Sequence, residues 1–146
     1  MTKQPDQLGF EALLGAADQD NKARAFAKAC AHLPSTMSEA VAYYSSQIET
    51  HHRAMRDGDF ETALAIRNDA HLLARKLNKG DPGILAHETA PVYVLANETR
   101  AKPDTAPLWG QEGRFKLHAH GVAVAVDMQG MFGIGATAIT YLGFEI

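Results

Sequence analysis

Between residues 38 and 78 the apolar residues recur at steps of three and four, the spacing of one helix face. The first stripe contains Val41, Tyr44, Ile48, His51 and Met55, and the second contains Phe60, Ala63, Ile66, Ala70, Leu73 and Leu77. The Asp57-Gly58-Asp59 sequence between them predicts a turn, with Asp59 as the N-cap of the second helix. Because this turn is short, the two helices are expected to lie antiparallel as an αα-hairpin.

The residues before Pro34 are also rich in helix formers. Gly15 and the polar cluster at 18–21 are expected to split two helices there or to bend one. Pro34 ends this segment. Ser35 and Ser38 are both suitable N-caps for the helix that follows.

The composition changes after Gly80, where Pro, Gly, Thr and Val replace the helix formers. We therefore predict a single domain, 1–146, with a helical part at 1–79, a connecting segment at 80–107 and a β part at 108–146. Residues 91–96 (PVYVLA) could form a strand or the start of a short helix at Pro91. The Val and Tyr residues favour the strand.

The β part begins with a clear alternation, in which Phe115, Leu117 and Ala119 alternate with Lys116, His118 and His120. After Gly121 the parity reverses, because Val122, Val124 and Val126 take the positions that the histidines held. A β-bulge at Gly121 would keep these valines on the core side. The segment 127–132 then predicts a hairpin loop with a left-handed Gly130, and 131–144 predicts the returning strand.

These elements define the predicted fold class. It is α+β, with N-terminal helices, including the antiparallel αα-hairpin, packed on a small C-terminal antiparallel β-sheet. The helical stripes and the sheet face of Phe115, Leu117 and the valines are expected to bury each other, because neither can be left in water.

Length and composition narrow the class of protein. A chain of 146 residues, 46% hydrophobic and 21% charged, suits one globular domain. The net charge of −3 argues against a nucleic-acid partner. No stretch resembles a signal peptide or a membrane span, so no membrane association and a cytoplasmic location are expected. The single cysteine, Cys30, has small apolar neighbours and is expected to be a buried, reduced core residue.

The His118-Ala119-His120 sequence is a candidate metal site. If 115–120 is a strand, both imidazoles point to one side and could share a metal ion, with Asp127 as the nearest further ligand. The alternative is a polar strand face that is open to water. The cofactor is unknown from sequence alone.

A second candidate site combines Trp109 with Arg114 and Lys116 as an aromatic and basic ligand patch. The alternative is a tryptophan that packs over the glycines of the β-hairpin.

Two functions remain open. The leading hypothesis is a non-enzymatic interaction or regulatory protein that forms a homo-oligomer, because the terminal strand carries no charge between Gly130 and Phe144 and could pair with a second copy. The alternative is a small metal-dependent enzyme that uses His118, His120 and Asp127.

Overall fold

A computed structural model describes residues 5–80, 89–133 and 143–145. The elements in chain order are α1 (Pro5–Ala29), α2 (Met37–Asp57), α3 (Phe60–Leu77), α4 (Pro91–Glu98), β1 (Gly113–Ala119), β2 (Val122–Met128) and β3 (Gly143–Glu145). The predicted α+β class, with a helical hairpin against a small C-terminal antiparallel sheet, is confirmed. The chain divides into two compact units, one ending at His32 and the other beginning at Leu33.

The first unit contains α1, which is one continuous helix, so of the two alternatives near Gly15 the split into two helices is wrong. The Asp18 carboxylate and the Lys22 ammonium group lie 2.6 Å apart across one helical turn, which supports the helix through the polar cluster. Cys30 is buried, as predicted. Within the described chain no helix is both long enough and apolar enough to cross a membrane.

Side-chain caps fix the ends of the helical hairpin. Thr36, rather than Ser35 or Ser38, is the N-cap of α2, and its hydroxyl accepts a hydrogen bond from the Glu39 N–H at 3.4 Å. The same hydroxyl donates to the Glu39 carboxylate at 2.8 Å, so Thr36 and Glu39 form a short reciprocal cap. Asp59 caps α3, as predicted, by accepting from the Thr62 N–H at 3.1 Å.

The buried face of each hairpin helix largely matches the predicted stripe, but at the ends of α2 the neighbouring residue is buried instead of the predicted one. The buried positions are Ala40, Tyr44, Ile48, His51 and Ala54 on α2, and Ala63, Ile66, Ala70, Leu73 and Ala74 on α3. Phe60 is exposed, and Val41, Met55 and Leu77 are only partly buried. Alanines occupy the contact between α2 and α3 at the ends of the hairpin, where their small side chains let the two helices approach closely.

Residues 91–98 form the helix α4, so the strand favoured for 91–96 is wrong. Pro91 takes the first helical position, where its missing N–H costs nothing. Leu95 and Ala96 are buried, and α4 packs against both α2 and α3. Tertiary packing therefore outweighs the β propensity of Val and Tyr.

The strands β1 and β2 form a hairpin whose two-residue turn is His120-Gly121, with φ values of 49° and 81°. The predicted bulge at Gly121 is therefore wrong. The change in the alternation of apolar and polar residues marks the point where the chain turns back from β1 into β2. Ala119 pairs with Val122 next to the turn, and Gly113 pairs with Met128 at the far end. Two successive positive φ values are typical of a type I′ turn, which matches the twist of the strands.

After β2 the chain forms a 3-10 turn, Met131–Gly133, rather than continuing into a strand. Met131 and Phe132 have positive φ values, and Gly130 does not, which corrects the predicted left-handed glycine. A Cβ on Gly130 would lie 2.6 Å from the Ala96 Cβ, so close packing on α4 requires the glycine. β3 then pairs antiparallel with β2. Residues 134–142 of the predicted returning strand lie outside the described residues.

The apolar stripe of α2 is covered in part by the 3-10 turn. The Phe132 ring contacts Tyr44 edge-on, with 5.8 Å between the ring centroids, and also contacts His51. The Tyr44 hydroxyl donates to the Gly110 carbonyl, which fixes the loop before β1. At the hairpin tip Leu117 is 50% exposed and Val122 is 47% exposed, so their predicted burial against the helices is wrong.

Candidate functional site

A cleft of about 830 Å³ opens beside the sheet. One wall comes from α4 and the loop that follows it, through Tyr93, Arg100, Ala101, Pro103 and Asp104. The other wall comes from the start of β1 and the end of β2, including Lys116 and Asp127. This volume lies within the range of small-molecule and peptide sites.

Two ion pairs line the cleft. The Arg100 guanidinium bonds the Glu112 carboxylate and also donates to the Asn97 side-chain oxygen at 3.1 Å. Across the hairpin, Arg114 Nε and Asp127 Oδ1 lie 3.5 Å apart, and both side chains are more than half exposed. Pairs that are this open to water add little to stability, so Arg114 and Asp127 can exchange partners readily.

The cleft lies next to a sheet edge. In the sheet of the described residues the strand order is β1-β2-β3, so β1 is an edge strand. A two-residue turn is closed by a hydrogen-bonded pair, here Ala119 and Val122. Hydrogen-bonded and non-hydrogen-bonded pairs then alternate, so the backbone N–H and C=O groups of Arg114, Lys116 and His118 point away from β2.

One hydrogen bond of the described chain supports this alternation. The Ala101 N–H donates to the Glu112 carbonyl at 2.8 Å from the outer side of β1. Glu112 has the same parity as the three outward residues. On the outer side of β1, the Glu112 carbonyl therefore accepts a hydrogen bond from Ala101. The backbone groups of Arg114, Lys116 and His118 continue along the same side.

The predicted ligand patch is only partly assembled. Arg114 and Lys116 both line the cleft, on the same face of β1. Trp109 does not line it. The Trp109 backbone N–H instead points to His52 Nδ1 on α2 at 3.5 Å, and its side chain is half exposed.

The predicted metal ligands are spread along the hairpin. His118 lies on β1 opposite Ala123, whereas His120 lies in the turn, so the assumption that both belong to one strand is wrong. Asp127 lies opposite Arg114, four residues and about 13 Å along the strand from His118. Within residues 5–80, 89–133 and 143–145 no group of three or more His, Cys, Asp or Glu side chains could hold a metal ion. The metal assignment stays a prediction.

His51 is an unusual buried residue that sequence reasoning placed only in the core. It is 3% exposed, and neither ring nitrogen has a hydrogen-bond partner among the described residues. The Phe132 ring lies against it, with 4.5 Å between the centroids. Burial, with further contributions from Arg67 and His52, lowers the pKa of His51. The sequence signal for this burial was the position of His51 on the predicted apolar stripe of α2, because a side chain on that stripe points into the core.

The fold and the cleft together define a small α+β protein with an open groove beside an edge strand of the described sheet. No protein-family model matches the sequence, and neither a curated protein nor a solved structure matches it significantly. The function is therefore inferred from the geometry and charge of the site.

Proposed function

We propose that the chain is a non-enzymatic interaction or regulatory protein that binds an extended partner along β1. The observation that carries this proposal is the position of β1 at the edge of the described sheet, with its outward backbone groups beside the cleft. An edge strand of this kind is a template for a further strand. The cleft supplies space for side chains of the added strand.

The tip of the β-hairpin supports the same proposal. Leu117 and Val122 are half exposed there, on the sheet face opposite to Lys116. An added strand would therefore meet polar groups on one face of β1 and an apolar side chain on the other. This combination gives both affinity, through the backbone, and selectivity, through alternate side chains.

We expect peptides selected from a random library on the full chain to lose binding when Lys116 is replaced by proline. Lys116→Pro removes an N–H that points away from β2, so the pairing with β2 is kept while the outer edge is blocked. Lys116→Ala is the matched control, because it removes the side chain and keeps the N–H. Binding is measured by fluorescence anisotropy. Selected peptides that bind the wild type and Lys116→Pro equally would contradict the proposed edge.

Self-association is a second candidate, favoured by an exposed stripe on α1. Phe10, Leu13 and Leu14 recur at helical spacing and all are exposed. The terminal strand, on which the sequence-based expectation of a homo-oligomer depended, lies mostly outside the described residues. The α1 stripe is a separate surface, and large exposed apolar side chains favour a partner.

We expect light scattering over a concentration series to show a species of twice the 15.8 kDa chain mass. Leu13→Lys is expected to return the protein to the monomer, because it places a charge within the stripe. Leu64→Lys, at an exposed position on α3, is the control and is expected to leave the dimer intact. A wild-type protein that stays monomeric at every concentration would contradict self-association.

A further inference from the structure

We infer that His51 controls a pH-dependent contact, in which the 3-10 turn Met131–Gly133 packs on α2 while the imidazole is neutral and leaves α2 when the imidazole is protonated. The two sides of this contact are the His51 and Phe132 rings, whose centroids lie 4.5 Å apart. Phe132 belongs to the turn, so movement of the turn changes what covers the imidazole. The contact is independent of the partner that the cleft binds.

A protonated His51 is disfavoured while the turn is packed on α2. The side chain is 3% exposed, and neither ring nitrogen has a hydrogen-bond partner among the described residues. A neutral imidazole has one N–H donor, whereas the protonated ring has two donors and a positive charge. Burying a charge without a partner costs far more than burying a neutral polar group. Protonation therefore favours any movement that lets water reach the ring.

The charged groups around His51 do not compensate its protonation. Burial is the main reason that the pKa of His51 is lowered, and Arg67 on α3 and the neighbouring His52 lower it further. The turn and the loop 108–111 carry no ionisable side chain. The acidic side chains of α2, α3 and α4 are exposed or bonded to another residue, and they are Glu39, Glu49, Asp57, Glu61, Asp69 and Glu98.

The turn has a backbone conformation that is costly for its residues. Met131 and Phe132 have φ values of 50° and 53°, in the left-handed region that residues with a side chain rarely adopt. Such strain persists only where the surrounding contacts outweigh it. Met131 is fully buried, and the Phe132 ring contacts both Tyr44 and His51. Packing against a neutral His51 is thus part of what holds the turn on α2.

The second aromatic contact of the turn does not titrate in mild acid. Tyr44 meets Phe132 edge-on. Burial raises the pKa of the Tyr44 hydroxyl well above its usual range, and Glu112 contributes in the same direction. Tyr44 therefore stays neutral as the pH falls, and its hydrogen bond to the Gly110 carbonyl is unaffected.

His52 is the other group near this contact through which acid could act. The Trp109 N–H points to His52 Nδ1 at 3.5 Å, and a protonated Nδ1 could not accept from it. Loss of that bond would loosen the loop before β1 without any change at His51. The experiment therefore has to separate the two adjacent histidines.

Oxidation of Met131 by hydrogen peroxide measures release of the turn in the full chain. Below pH 6.5 the released form binds a proton at His51 that the packed form does not, so release increases as the pH falls. Between about pH 7.5 and about pH 5.5 we expect the oxidation rate of Met131 to rise several-fold, toward a limit of about tenfold. Met128, which is already partly exposed, is the internal control and is expected to keep its rate. Mass spectrometry of digested samples gives both rates.

Two glutamine variants identify the group that titrates. His51→Gln removes the titrating ring and is expected to abolish the acceleration at Met131. His52→Gln, the same change at the adjacent position of α2, is expected to preserve it. Acceleration that survives in His51→Gln and disappears in His52→Gln would overturn the inference and assign the effect to the bond with Trp109.

A urea series distinguishes release of the turn from unfolding of the whole chain. Local opening exposes little surface, so the Met131 rate at about pH 5.5 is expected to change little with urea below the unfolding transition. A rate that rises with urea as steeply as the global unfolding constant would overturn the inference, because acid would then act on the entire fold. A wild-type Met131 rate that is the same at both pH values would overturn it too.

Discussion

Replacing Gly110 by alanine is expected to lower the free energy of unfolding by about 4 kcal/mol. Gly110 has a φ of +90°, a conformation that side-chain-bearing residues rarely adopt. Its Cβ would also lie 2.0 Å from the Phe132 ring, which itself packs on Tyr44 and His51. Since that ring is held from two other sides, it cannot move away cheaply. Urea unfolding monitored by circular dichroism measures the change.

Gly58→Ala is the matched control for this substitution. Gly58 also has a positive φ, of +76°, but nothing lies within 4 Å of the position of its Cβ. We expect a loss of about 1 kcal/mol there, from backbone strain alone. The difference between the two variants therefore isolates the clash with Phe132. Equal losses would show that Phe132 does not pack against Gly110 in the manner described.

Local patterns were sufficient to predict the helical hairpin. The steps of three and four residues identified α2 and α3, and Asp59 caps α3 as expected. Burial at the ends of the hairpin differs by one position because alanines, rather than Val41 and Met55, occupy the close contact. Which of two neighbouring apolar residues is buried depends on the distance between the helices, and the periodicity of one helix gives no information about that distance.

The errors fall where tertiary contacts override a local preference. Val and Tyr favoured a strand at 91–96, but α4 packs against α2 and α3 with Leu95 fully buried, and this packing stabilises the helix. The His120-Gly121 turn was interpreted as a bulge, because a change of parity alone does not distinguish a bulge from a chain reversal. A histidine before a glycine can adopt the left-handed region, which was the signal for the turn.

The candidate site shows the same division. Strand alternation predicted that Lys116 and His118 share one face of β1, and they do, because that relation is local. Trp109 was grouped with Arg114 and Lys116 by residue type. Its loop is instead attached to α2, because the Tyr44 hydroxyl donates to the Gly110 carbonyl and the Trp109 N–H points to His52. The position of β1 at the edge of the described sheet could not be derived from the sequence, since it depends on the order of the strands.

The free energy of unfolding is expected to fall as the pH drops below about 6.5, the ordinary pKa of histidine, and His51 is expected to cause part of this fall. Burial, with the charge of Arg67 and the neighbouring His52, lowers the pKa of His51 in the folded chain. Below pH 6.5 the unfolded chain therefore binds a proton at His51 that the folded chain does not, so acid favours unfolding. Above that pH the contribution of His51 is fully present and constant.

His51→Leu is expected to raise the free energy of unfolding by about 2 kcal/mol at neutral pH, because it removes two buried nitrogens that have no hydrogen-bond partner in the part of the chain that the structure describes. The variant is also expected to show a shallower loss of stability between about pH 7 and about pH 5, measured by urea unfolding. His71→Leu, the same substitution at an exposed position on α3, is the control for a general effect of replacing a histidine by leucine. A destabilised His51→Leu variant with the wild-type pH dependence would mean that the imidazole is hydrogen-bonded and not buried without a partner, because a satisfied ring stabilises the position that leucine would weaken.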